Sequence, residues 1–320
     1  MGTGVADRVR GVLFGQAVGD ALGFGTEFLS RTDVKKHFPF GLQRYAQLTR
    51  LRPCPEWQPG DWTDDTDQML CICDSLLAHG RFELLDIAAR IRHWATADGF
   101  GVDQVVYTAA RDRRFLTDPH AVAQRYWEAN GRVAANGGVM RTSVLGVWGH
   151  ADPRRVRQNA EEACRLTHAD PRCVGSCVAV CLAVRELLLG EDDMNALTDA
   201  VSEQVREYHP ELADCLSATA APSLEAFDLD EGLNPNEPDR AGDTLKALGA
   251  GFWALRNAHS FQSGISHIIH EGGDADANAA VAGALLGARF GAAAIPAEWR
   301  QGLVYGAQLE TRVQQLLTHF

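Results

Sequence analysis

Nowhere in the 320 residues do about 18 uncharged apolar residues follow one another, so the sequence predicts no membrane-spanning helix. The opening residues, Met1 to Arg10, also hold no long apolar run, and no signal peptide is expected. Both shortages predict a soluble, cytoplasmic protein. Positive charge is scarce as well: 30 lysines and arginines face 42 aspartates and glutamates, a formal net charge of −12. That balance, with no basic stripe interleaved by aromatics, argues against nucleic acid and membrane surfaces as partners. Cys71-Ile72-Cys73 and the Cys173/Cys177 pair lack the second pair that a zinc site requires, so buried free thiols are expected. Strand-like alternation is scarce, and no Pro/Gly/Ser linker divides the chain. One all-α domain over residues 1–320 is therefore expected, built from roughly a dozen helices.

Small and apolar residues at helical spacing run from about Gly4 to Leu22. The repeated glycines of Gly19-Asp20-Ala21-Leu22-Gly23-Phe24-Gly25 predict a close-packed helix followed by an irregular loop. Further helical patterns cover 64–79, 83–97, 105–111, 174–189, a stretch ending near Leu212, and 241–258, 260–269, 279–291 and 297–318. Between Ser30 and Gly60, Pro39, Pro53, Pro55 and Pro59 interrupt any period, and a long irregular segment of this kind often carries function or a lid.

Acid is concentrated at two helix starts. Asp61-Trp62-Thr63-Asp64-Asp65-Thr66-Asp67 sets four carboxylates and two hydroxyls ahead of the run from Gln68 to Leu77. Thr63 fits an N-cap there, and the helix dipole favours carboxylates in the first turn. Adjacent carboxylates repel one another, however, and beside a hydroxyl they make a hard oxygen set suited to Mg²⁺, Mn²⁺ or Ca²⁺. The second stretch, Glu271-Gly272-Gly273-Asp274-Ala275-Asp276-Ala277-Asn278, opens a nearly charge-free helix of small residues. Its carboxylate pair is poorly explained as a solvated cap. Two such openings facing each other would form a two-metal centre. Neither follows the EF-hand spacing.

Three weaker signals lie elsewhere. Asn136-Gly137-Gly138-Val139-Met140-Arg141 is a Gly-rich turn before an apolar helix, offering backbone N–H groups to an anion such as a diphosphate. Asp103 stands at a helix start, where capping is its simplest role, and Glu27 stands in a loop, where a carboxylate is usually solvated. His168, in Thr167-His168-Ala169-Asp170, reads alone as a structural histidine.

Together, Gly19-Asp20-Ala21-Leu22-Gly23 with Glu27, Thr63-Asp64-Asp65-Thr66, Asn136 to Arg141, Thr167-His168 and Gly272-Gly273-Asp274-Ala275-Asp276 resemble the ADP-ribosylglycohydrolase family. That family includes dinitrogenase-reductase-activating glycohydrolase and the ADP-ribosylarginine hydrolases. Gly287-Ala288, Ile295-Pro296 and Trp299 also fit, so the likeness spans nearly the whole chain. The resemblance implies an all-helical glycosidase, a metal-dependent ADP-ribosyl hydrolase with two Mg²⁺ or Mn²⁺ ions at the base of a cleft for the terminal ribose. Implied ligands are Thr63, Asp64 and Asp65 from one helix start and Asp274 and Asp276 from the other. Asn136, Gly137, Gly138, Val139 and Met140 would cradle the diphosphate, with His168 near the adenosine side or structural. The implied partner is ADP-ribose, or an ADP-ribosylated protein or small molecule.

Breaking an N-glycosidic bond to a guanidinium, or an O-glycosidic bond to a hydroxyl, needs an oriented sugar, an activated water and a carboxyl that moves a proton. By resemblance, Asp103 matches the acid of the arginine-directed members and Glu27 that of the serine-directed members. Asp103 favours an arginine-type linkage, although Gln104-Val105-Val106-Tyr107-Thr108 departs from the usual glycine-containing pattern. Ala277 stands where the family has threonine, which removes a hydroxyl that a water or Asn278 would replace. Two alternatives stay open: a hydrolase of another small ADP-ribosyl or ribosyl conjugate, and a catalytically weak ADP-ribose-binding relative.

Overall fold

Glycine or alanine stands at every fourth position along two helices, and this spacing sets the centre of the fold. The computed structural model describes residues 3–50, 57–131, 133–233 and 241–319. Its α-helices are α1 (Thr3–Gly23), α2 (Arg31–His37), α3 (Asp64–His79), α4 (Leu84–His93), α5 (Gln104–Arg111), α6 (Pro119–Ala129), α7 (Ser143–Val147) and α8 (Pro153–Cys164). The series continues with α9 (Pro171–Leu189), α10 (Met194–Val205), α11 (Pro210–Ala218), α12 (Thr244–Asn257), α13 (Phe261–Glu271), α14 (Ala275–Phe290), α15 (Ala297–Gln301) and α16 (Gly306–Leu317). Among the described residues no strand forms; Ala135 and Asp243 make one isolated antiparallel bridge.

On α1, Gly11, Gly15, Gly19 and Gly23 lie against Gly287, Gly283, Ala279 and Ala275 of α14. The pairing runs antiparallel, and small residues let the two backbones touch, since only a hydrogen or a methyl separates them. From Gly11 to Thr26 on one side and Ala275 to Ala288 on the other every residue is buried. Helices apolar all round belong in the middle of a fold. Around this pair, α12 enters through Gly251 against Val281 and Leu285, and α13 through Gly264 against Leu286. One hydrophobic core joins residues from Val9 to Leu316. The antiparallel register also sets the end of α1 beside the start of α14, which carries both acid-bearing segments to one place.

Several expected elements shift. The segment Ser30–Gly60 holds α2, capped by Ser30, and a 3₁₀ turn over Tyr45–Arg50; its residues 51–56 fall outside the described ones. Ser30 accepts from Asp33 N at 3.1 Å while its hydroxyl donates to the Asp33 carboxylate at 2.7 Å, a cap that overrides the irregular composition. Helix α14 begins at Ala275, four residues before the expected start. The stretch 297–318 breaks into α15 and α16 because Val304 N donates to Gly60 O at 2.9 Å, turning the chain aside. His209-Pro210 likewise divides α10 from α11. No described helix is long and apolar enough to cross a membrane, and the described cysteines are free.

Candidate active site

A buried carboxylate inside an apolar helix needs donors, and Asp20 of α1 finds four of them at the start of α3. Its Oδ1 accepts from Thr63 N and Thr63 Oγ1, both at 2.9 Å, and its Oδ2 from Thr66 N at 3.0 Å and Thr66 Oγ1 at 2.6 Å. Asp20 is thus the cap of α3, supplied from another helix. Thr63 occupies the N-cap position, but its hydroxyl makes no cap hydrogen bond, which corrects the capping expectation. Having donated to Asp20, the Thr63 oxygen keeps lone pairs for a further partner. Burial pushes the Asp20 carboxyl up to about 7, against the pull of the four donors.

Asp64 and Asp65 follow in the first turn of α3, both buried. Asp64 Oδ2 accepts from Gln68 Nε2 at 3.0 Å, and Gln68 Oε1 in turn accepts from Arg141 Nη1 at 2.7 Å. Asp65 Oδ2 is buried without a hydrogen-bond partner. Opposite them stands the start of α14. Gly272 and Gly273 adopt φ values of 72° and 70°, and Phe28 N donates to Gly273 O at 2.6 Å while Gly273 N donates to Leu29 O at 2.9 Å. This double link needs glycine, both for the left-handed backbone and because a Cβ on either residue would strike a backbone carbonyl. It places Glu27 beside Asp274 and Asp276, with one carboxylate oxygen of each within 4.8 Å of the others.

These acids line a cavity of about 870 Å³ together with Thr63, Asp103, Asn136, Met140 and Ala277. Phe24 and Phe100 form one wall, backed by Trp57, with ring centroids 5.8 Å and 4.8 Å from Phe24. A second hollow of about 390 Å³ adjoins it, sharing Phe28, Asp103, Asn136, Met140 and Asp274 and adding Gly137. Asp103 is a helix cap, as expected: its Oδ1 accepts from Val105 N and Val106 N of α5 at 2.6 Å and 3.0 Å. Its Oδ2 is buried with no partner, and burial raises its pKa from the ordinary carboxylate value against the pull of the Val105 and Val106 amides. Asn136 Nδ2 donates to Asp274 Oδ2 at 2.9 Å, tying the Gly-rich turn to α14.

Not every sequence-predicted residue reaches the cavity. Gly138 packs toward the sulfurs of Cys164 and Cys177, and Val139 is buried; neither is among the lining residues. His168 also stands behind the wall, its Nε2 toward Gly137. Asn278, weighed as a replacement ligand, is fully buried away from the lining, its amide atoms without partners. Conversely, sequence reading gave no role to Asp20, Gln68 or Arg141. A charge amid the apolar residues of α1 was the visible signal for Asp20.

Asp64, Asp65 and Asp276 are each pushed well above the carboxylate range, first by burial and then by neighbouring acids. Among the described residues four aspartates of this region, Asp20, Asp64, Asp65 and Asp276, are buried with one buried arginine, Arg141, while a fifth, Asp170, lies elsewhere and is paired with Arg172. Burying so much like charge is costly unless cations enter. The donor set, carboxylates and one hydroxyl with an orphaned oxygen on Asp65, fits hard divalent cations.

The sequence model of the ADP-ribosylglycohydrolase family matches residues 1–320. The chain belongs to that family. Among its relatives, ADP-ribosyl-[dinitrogen reductase] glycohydrolase of Rhodospirillum rubrum is 26% identical over 318 residues, covering 98% of this chain and 96% of the relative. ADP-ribosylarginine hydrolase Tri1 of Serratia proteamaculans is 24% identical over 317 residues, covering 97% and 79%. A solved structure titled ADP-ribosylglycohydrolase-related protein complex superposes with a TM-score of 0.76 at 27% identity, over 98% of each chain. The fold and the family are thus settled together.

Proposed function

We propose that this chain is a glycosidase that releases ADP-ribose from an acceptor in a metal-dependent reaction, with an arginine-type linkage favoured. The observation that carries it is the meeting of two acid-led helix starts on one cavity beside an unpartnered Asp103 oxygen. Thr63, Asp64 and Asp65 with Asp274 and Asp276 would hold two Mg²⁺ or Mn²⁺ ions. Bound there, such ions supply a grip on ribose hydroxyls and polarise a water. Glu27 sits within the Asp274–Asp276 group, so its negative charge serves that cluster. Asp103 lines the same cavity without belonging to that three-carboxylate group, which favours Asp103 as the proton shuttle. Its Oδ1 is held by two backbone donors, so its proton belongs on Oδ2, and a raised pKa suits a general acid. Phe24, Trp57 and Phe100 exclude water on one side. Asn136, Gly137 and Met140 bound the hollow proposed for the diphosphate, with Gly138, Val139 and His168 supporting them from behind.

The test is release of ADP-ribose from ADP-ribosyl-arginine and from a serine-linked substrate, each with Mg²⁺, Mn²⁺ or chelator. Cation-dependent release from the arginine linkage is expected, reduced about 10²- to 10⁴-fold in Asp103→Asn, the usual contribution of a general acid. Release from the serine linkage alone, with Glu27→Gln the more damaging change, would transfer the role to Glu27.

Ala277 lines the cavity, 2% exposed, and favours a second reading in which turnover is weak and ADP-ribose binding is the main activity. Ala277→Thr returns a hydroxyl to that wall. Calorimetry is expected to show cation binding tightened by about tenfold, which is about 1.4 kcal/mol. Unchanged affinity would mean that another oxygen already serves there.

A further inference from the structure

One turn into α3, a half-buried carboxylate collects two tryptophans. Trp62 Nε1 donates to Asp67 Oδ1 at 2.8 Å, and Trp94 Nε1 donates to Asp67 Oδ2 at 2.9 Å. Both rings are buried, and an indole N–H can only donate, so each needs an acceptor. A carboxylate gives one oxygen to each. The amide of the same shape would give one oxygen and turn an N–H toward the other ring.

The two tryptophans come from different sides of the cavity. Trp62 stands directly before Thr63, with its ring 5.5 Å from that of Tyr305. At Trp94, helix α4 passes into a π-helical turn, Trp94–Asp98, closed by Gly99 N donating to Trp94 O at 2.7 Å. From there the chain runs on to Asp103, and Phe100, Gly101, Val102 and Asp103 all line the cavity. This segment rests on the indole at one end and on α3 in its middle. A Cβ on Gly99 would stand 3.1 Å from Trp94 Cε2, and one on Gly101, whose φ is 77°, would stand 3.1 Å from Asp64 Oδ1.

We infer that Asp67 is a positioning residue for Asp103: by holding Trp94 to α3, it sets where residues 99–103 place the Asp103 carboxyl in the cavity. This role rests on Asp103 being the proton shuttle proposed above. Asp103 Oδ1 is bound to the start of α5, so the carboxyl moves with the chain that carries it. The acids of α3 do not depend on the same tie. Thr63 and Thr66 are held by the four hydrogen bonds of Asp20, and Asp64 by Gln68. Loss of the Asp67 carboxylate should therefore displace Asp103 and leave Thr63, Asp64 and Asp65 in place.

The test has a spectroscopic and a kinetic arm. In ¹H–¹⁵N NMR of the full chain, Asp67→Asn is expected to shift the indole signal of Trp94 together with the backbone amide signals of Val105 and Val106, which report the Asp103 carboxyl. An indole that moves while both amides stay would overturn the link whether or not the chain is a hydrolase. In turnover of ADP-ribosyl-arginine, Asp67→Asn is expected to lower kcat roughly 10- to 100-fold, the scale on which a misplacement of about 1 Å acts, with KM and cation affinity little changed. The loss should shrink on an ADP-ribosyl nitrophenyl ether, whose leaving group departs without a proton, as it should for Asp103→Asn. Added to Asp103→Asn, the change should cost nothing more, since it acts through the lost carboxyl. An equal loss on both substrates, losses that multiply, or weakened cation binding with the amides unmoved would assign Asp67 to the support of α3 instead. Should Asp67→Asn fold poorly, Trp94→Phe cuts the same tie from the other side, and unmoved Val105 and Val106 signals there sink the proposal. A parent chain that releases no ADP-ribose would defeat the proposed activity, while the amide signals would still decide whether Asp67 sets the position of Asp103.

Discussion

Asp276→Asn is expected to lower kcat/KM by at least about 10³-fold, on the order of 4 kcal/mol of transition-state stabilisation, while making the cation-free protein harder to melt. The two effects share one cause. Asp276 is buried and close to Glu27 and Asp274, and without cations these acids repel each other inside the fold. An amide of the same shape removes one charge from that group and relieves the cost of burying it. With Mg²⁺ or Mn²⁺ the order reverses, because ions that bind only the folded chain raise its stability and the variant has lost a ligand. Melting curves of both proteins, in chelator and in excess cation, should therefore cross. Turnover equal to the parent's would remove Asp276 from the machinery. A variant that melts lower in chelator would remove the repulsion and leave the aspartate a purely structural part.

Much of this site could be read in the sequence because acids at helix starts are local signals. Asp64 and Asp65 lie in consecutive positions, as do the glycines before Asp274, and no tertiary knowledge is needed to see them. The partners that hold them are not local. Asp20 lies more than forty residues from Thr63 and Thr66, and Gln68 meets Arg141 only in the folded chain. Helix starts at Asp118-Pro119 and Asp152-Pro153 escaped for a different reason. Proline reads as an interruption, yet at the first helical position its missing N–H costs nothing, and the aspartate before it accepts from Ala121 N in one case and from Arg154 N and Arg155 N in the other.

Gly15→Ala should prove among the most damaging single methyls in the chain outside the site. Its Cβ would stand 2.9 Å from the carbonyl carbon of Gly283 and closer still to the oxygen, with Phe261 Cε2 at 3.1 Å on the other side. A backbone carbonyl in mid-helix cannot swing aside as a side chain can, so α1 and α14 must part along the whole seam. Overpacking of a core costs about 1–3 kcal/mol where side chains can adjust, and this contact belongs at or above the top of that range. For a chain of this size the melting temperature should fall by roughly 6 to 12 °C at about 2–4 °C per kcal/mol. Gly4→Ala, on the same helix with nothing within 4 Å of the new methyl, supplies the control and should leave stability unchanged or slightly raised. The seam also decides the chemistry. Asp20 and Glu27 arrive on the α1 side, and Asp274 and Asp276 on the α14 side, so a gap between the helices pulls the carboxylates apart. Gly15→Ala should accordingly weaken cation binding from about two helical turns away from Asp276. Unaltered cation affinity in a destabilised Gly15→Ala would show instead that the link between residues 28–29 and Gly272-Gly273 holds the site together without the glycine seam.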